Sequence, residues 1–121
     1  MSIRLLFQAA LVAQLSFSAL AVNAASCEDK EYWFEAGVGF YANGYRLEGT
    51  EKRIKSLYRK MKGEPITEDE AVAIGLDAWR FLDANNASRD IDQIKRLMLV
   101  EQYYARCLEA ETMNEEVKSA P

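Results

Sequence analysis

The chain has 121 residues, with 19 acidic against 15 basic side chains and a net charge of −4. It contains two cysteines and no histidine. The acidity argues against nucleic acid, which needs a basic face, and against an anionic membrane surface. The missing histidine removes Ser-His-Asp and Cys-His catalysis and the commonest metal ligand.

The N-terminus has one positive charge, Arg4, then an apolar stretch from Leu5 to Val22, then Asn23-Ala24-Ala25-Ser26. These are the three parts of a secretory signal peptide. Val22 and Ala24 suit a cut after Ala24, with Ala19 and Ala21 offering a cut after Ala21. Gln8, Gln14, Ser16 and Ser18 make the stretch less apolar than a spanning helix usually is. Residues 1–24 are therefore expected to be removed, giving a periplasmic or secreted protein with no integral membrane segment after processing. Ala24-Ala25-Ser26-Cys27 also reads as a degenerate lipoprotein box, so a lipid anchor at Cys27 is the alternative. Lipidation would orphan Cys107 in an oxidising compartment, whereas two cysteines make one bridge.

The remaining 97 residues suit one domain, expected over 25–111, with a polar tail over 112–121. Losing Arg4 takes the net charge to −5. A domain this small buries a modest core. A Cys27–Cys107 bridge closes a loop of about 80 residues, which the chain-entropy view values at roughly 4 kcal/mol.

Ser26 is a helix cap followed by Glu28, Asp29 and Glu31 in the first turn. Trp33, Gly37, Phe40, Gly44 and Leu47 then recur at helical spacing, with Phe34, Val38, Tyr41 and Tyr45 on the neighbouring stripe. This predicts a buried first helix whose glycines let another helix approach closely. Asn43-Gly44 competes as a hairpin turn, leaving 32–47 between helix and hairpin, with helix preferred. Gly49-Thr50 reads as a break. A second helix is expected over 51–62, with Ile54, Leu57, Tyr58 and Met61 on one face and Gly63 and Pro65 ending it. Thr67-Glu68-Asp69-Glu70 opens a third helix to Ala84. It carries Val72, Leu76, Trp79 and Leu82, with Ile74, Ala78 and Phe81 beside them, and Asn85-Asn86 stops it. Ser88 is the expected cap of a last, longest helix carrying Ile91, Ile94, Leu97, Met98, Tyr104, Cys107 and Leu108. The fold expected is all-α: a small four-helix, up-down bundle-like domain with one disulfide.

Chemistry is sparse. There is no Cys-x-x-Cys and no phosphate loop, and no cofactor or metal site is expected. Glu35, set among Tyr32, Trp33, Phe34 and Gly37, is the one candidate for carboxylate-based hydrolysis of cell-wall material. The plainer expectation is a solvated acid paired with a nearby base. Glu68, Asp69 and Glu70 are read as cap and dipole charges. The aromatic residues are expected mostly in the core, with Tyr32, Tyr41 and Tyr45 offered for partner binding beside Arg59 and Lys62 on the basic second helix. Asn86-Ala87-Ser88 is formally a glycosylation sequon.

In size, export signal and cysteine count the chain resembles small periplasmic helical proteins such as acid-stress chaperones and secretion-system immunity proteins. No motif carries residues over from either. The expectation is a non-enzymatic domain that binds another envelope protein, as an inhibitor, immunity or accessory factor. The alternatives are a hydrolase using Glu35 and a holdase chaperone. The oligomeric state stays open.

Overall fold

The computed structural model describes residues 25–119, with side chains described to residue 114. The signal peptide expected over 1–24 lies outside the described residues. Four helices make up the fold: α1 (Cys27–Ala42), α2 (Leu47–Lys60), α3 (Glu68–Ala84) and α4 (Gln93–Ser119). No strand occurs among the described residues.

α1 begins as its capping residues dictate. The Ser26 hydroxyl accepts from the Asp29 backbone N–H, and the Asp29 carboxylate accepts in turn from the Ser26 N–H. The helix stops earlier than the apolar period implies. Gly44 takes φ +85°, the Gly44 N–H donates to the Tyr41 carbonyl, and the Tyr45 N–H donates to the Phe40 carbonyl. That is a Schellman ending. The left-handed residue that a hairpin turn needs is the same one that closes a helix, so Asn43-Gly44 makes a helix stop and neither a hairpin nor a continuing helix. α3 ends in the same way, with Asn86 at φ 51° and the Ala87 N–H donating to the Leu82 carbonyl.

Further boundaries differ from expectation. Gly49 and Thr50 lie inside the first turn of α2, and Thr50 is fully buried. With α1 already ended at Gly44, the chain re-enters a helix from Arg46, and poor helix formers cost little in a first turn. Ser88 does not cap α4. Its hydroxyl accepts from Asp90 N–H within the loop, and Asp92 takes the capping role by accepting from Lys95 N–H at 2.8 Å. α4 also continues to Ser119, through residues 112–119 of the expected polar tail.

α1 packs against each of the other three helices. Its closest partner is α3, because both are glycine where they meet. A Cβ on Gly37 would stand against the Gly75 carbonyl oxygen and 2.8 Å from its carbonyl carbon. Around this crossing sit two apolar clusters. Trp33, Ile54, Ile66, Ala71, Val72 and Leu76 form one; Val38, Tyr41, Ala78, Trp79 and Leu82 form the other. α4 lies along α1 in opposite order. Cys27 is bonded to Cys107, the Phe34 ring stacks on Tyr103 at 4.4 Å, and Gly39 faces Arg96.

Polar links tie the loops to this core. The Tyr41 hydroxyl donates to the Ala87 carbonyl at 2.6 Å, and Trp79 Nε1 donates to the Tyr45 carbonyl at 2.8 Å. Arg89 donates to the Tyr41 carbonyl, with its guanidinium 4.0 Å above the Tyr41 ring. At the other pole the Tyr58 hydroxyl donates to the Ile66 carbonyl. No helix among the described residues is long and apolar enough to cross a membrane.

Candidate partner-binding surface

The expected partner residues do not assemble into one surface. Tyr41 is 3% exposed, because its ring packs edge-on to Trp79 and its hydroxyl is held by Ala87. It belongs to the core, a correction to its expected place on the surface. The Tyr45 ring packs against Phe40 at 5.3 Å, and the guanidinium of Arg53 stands 5.0 Å from its centre. Arg59 makes a two-pronged ion pair with Glu68, both contacts at 3.1 Å, and this hydrogen-bonded carboxylate pushes its pKa up. Tyr32 is 43% exposed and lines a groove beside α1, whereas Lys62 is exposed and lies outside that groove.

Glu35 is exposed and lines two shallow grooves beside α1. Arg96 lines both, with a buried Nε that makes no hydrogen bond among the described residues. Neither groove holds a second carboxylate. Two-carboxylate glycoside cleavage needs an acid and a second carboxylate across the scissile bond, so the geometry supplies half of that machinery. Glu111 lies near the sulfurs of Cys27 and Cys107, but bonded sulfurs are not thiolate ligands.

The outstanding surface is the outer face of α4. Apolar residues occur on two sides of this helix. Leu99, Val100, Tyr103 and Cys107 face inward and are buried or half-buried. Ile94, Leu97, Met98 and Leu108 face outward and are 70, 56, 53 and 42% exposed. These four keep large apolar side chains in water at helical spacing, and the largest apolar patch on a monomer is often functional. Glu101 and Ala105 lie among them, at the same helical spacing.

Beside this face α4 stands off from α3, and a cleft runs between them. One part, of about 360 Å³, is lined by Leu82, Ala87, Ile91, Met98, Leu99 and Gln102 among others. A second part, of about 220 Å³, shares Leu99 and Gln102 and adds Phe34, Ile74, Phe81 and Tyr103. Phe81 and Met98 are exposed on its two sides. Met98 thus belongs to both the outer face and the cleft, and the two form one continuous apolar surface. The sequence signal for it was present in the apolar residues of the last helix, whose spacing alone did not separate the covered face from the exposed one. No protein-family model, no curated protein and no solved structure matches the chain.

Proposed function

We propose that the chain is a small exported, non-enzymatic domain that binds another envelope protein through α4, as an inhibitor, immunity or accessory factor. One observation carries this reading: the outer face of α4 keeps four large apolar side chains in water beside an apolar cleft. A groove flanked by exposed apolar residues suits a helix or an extended segment of a partner, and methionine at its centre adapts to the shape of what docks. The disulfide supports an oxidising compartment, in keeping with the apolar N-terminal segment of the precursor. The architecture proposed is the up-down bundle, which accounts for the opposite order of contacts along α1 and α4. Nothing in the geometry favours the Glu35 hydrolase.

The test is affinity capture from the host's cell envelope, comparing the tagged wild-type chain with a Leu97→Asp, Met98→Asp variant. One stoichiometric partner is expected with the wild type, and none with a variant of unchanged helical circular dichroism. A partner retained by the variant would move the binding site elsewhere. No partner for either chain would defeat the reading.

A further inference from the structure

The outer face of α4 has a charge pattern as well as an apolar one. At about 100° per residue, Ile94, Leu97, Glu101, Ala105 and Leu108 share one side of the helix. Glu101 is the one charged group among them, and it is exposed. No residue three or four places away offers it a base: these are Leu97, Met98, Tyr104 and Ala105. It belongs to no ion pair among the described residues. Two more carboxylates border the same side of the stripe. Glu35 lines a groove with Leu97, and Glu111 lies beside the disulfide, next to Leu108. The base on this side, Arg96, is half-buried between α1 and α4. On the far side, toward the cleft, Lys95 and Arg106 stand with Asp90 and Asp77, so that side is mixed.

The pattern also tells against a second copy of the chain. The apolar residues are arranged symmetrically about Glu101. Two copies laid antiparallel, with Ile94 meeting Leu108, bring Glu101 against its own counterpart. Two copies laid parallel in register do the same. Like charges facing each other across an apolar seam suppress that pairing.

Resting on the proposed binding role of α4, we infer that the partner element is a basic amphipathic helix of another protein. Its apolar stripe covers Ile94, Leu97, Met98 and Leu108, and a lysine or arginine in the middle of that stripe meets Glu101. Further bases on one flank face Glu35 and Glu111. The apolar area supplies the affinity, and the carboxylates select the partner and its orientation.

The probe is a pair of fluorescent 18-residue amphipathic peptides with the same leucine and alanine face. One carries lysine at the centre and flank of that face; the other carries glutamate at the same positions. Binding to the oxidised protein is read by fluorescence anisotropy at low and high salt, and the protein's own association state by sedimentation. The lysine peptide is expected to bind at least tenfold tighter than the glutamate peptide, with the preference shrinking in salt. Glu101→Lys should abolish or reverse the preference, and Leu97→Asp should weaken both peptides. Equal binding of the two peptides that is still lost in Leu97→Asp would overturn the charge inference and leave the α4 surface standing. Binding indifferent to Leu97→Asp would remove the surface itself. Failure of both peptides to bind, or a micromolar dimer dissolved by Leu97→Asp, would also overturn the inference.

Discussion

The contact between α1 and α3 gives the sharpest test of the fold, because one substitution at two nearby positions should act in opposite directions. In a helix, Gly→Ala gains about 1 kcal/mol from backbone propensity alone. At Gly39 the new Cβ would meet only Arg96 Nη1, at 3.7 Å, an ordinary contact. Gly39→Ala should therefore stabilise the protein by about 0.5–1 kcal/mol. At Gly37 the Cβ would lie 2.8 Å and 2.9 Å from the carbonyl carbon and Cα of Gly75, with the carbonyl oxygen nearer still. No side chain can move to relieve this, so the helices must part. A gap of 0.5–1 Å already forfeits roughly a quarter to a half of each dispersion contact, and Trp33, Val38 and Ala78 are fully buried around the crossing. Overpacking and lost contact should outweigh propensity, leaving Gly37→Ala about 1–3 kcal/mol less stable. That is a large share of the whole stability of a small domain.

Urea unfolding followed by circular dichroism and tryptophan fluorescence measures both variants, with reduction excluded. A Gly37→Ala midpoint at or above the wild-type value would refute the close approach. If Gly37→Ala does not fold, Gly75→Ala tests the neighbouring packing of α3 against α2. A Cβ on Gly75 would run into Ile54 Cδ1, the flexible end of a side chain. Ile54→Val deletes that atom at a cost of about 0.5–1.5 kcal/mol by itself. Gly75→Ala should cost less in the Ile54→Val background than in wild type. Additive effects would count against the geometry.

Three further outcomes are expected. Removing the bridge by Cys27→Ser with Cys107→Ser should cost roughly 4 kcal/mol in the chain-entropy view. Hydrogen exchange should then show α4 losing protection ahead of α1 and α3; uniform loss would mean that α4 does not depend on the bridge. Tyr41→Phe removes the hydroxyl that donates to Ala87 and should cost about 1–2 kcal/mol, and an unchanged urea midpoint would show that this bond contributes nothing net. Burial raises the Tyr103 pKa above its ordinary 10.0, with the charges of Asp77 and Glu70 adding to the rise. Above pH 10 the unfolded chain loses this proton before the folded one does. The stability that burial lends to the neutral phenol is thus whole below pH 10 and declines as pH rises from there toward the folded pKa. Tyr103→Phe should flatten this decline, and identical alkaline slopes for the two proteins would contradict it.

The parts legible in the sequence were those fixed by local chemistry. α3 runs to Ala84 from its Thr67 cap because a hydroxyl at Thr67 and a left-handed residue at Asn86 are local signals with few competitors. The cysteine pairing followed from a count of two. The glycines of α1 correctly announced a close neighbour, though not that Gly75 would be opposite. The misread boundaries are where one local signal serves two structures. Asn43-Gly44 suits a hairpin or a helix ending, and only tertiary packing separates them. Tyr41 was misplaced for a related reason. Its polar tip suits a surface, and only the fold brings the Ala87 carbonyl to it from the α3–α4 loop.

α4 shows where periodicity runs out. Spacing tells which apolar residues share a face, but not whether anything covers that face. The disulfide supplies the missing phase. Once Cys107 must point at α1, Leu99, Val100 and Tyr103 turn inward with it, and Ile94, Leu97, Met98 and Leu108 turn away from it. The same bond explains how α4 can leave so much apolar surface in water. α4 packs chiefly along one side of α1 and stands apart from α3, so burial alone gives it limited hold on the domain. A crosslink near the middle of the helix confines it in the unfolded chain as well as the folded one, which offsets the burial it does not make. The covalent bond therefore separates two demands that usually conflict in a small domain: the helix stays docked, and its outer apolar face stays exposed.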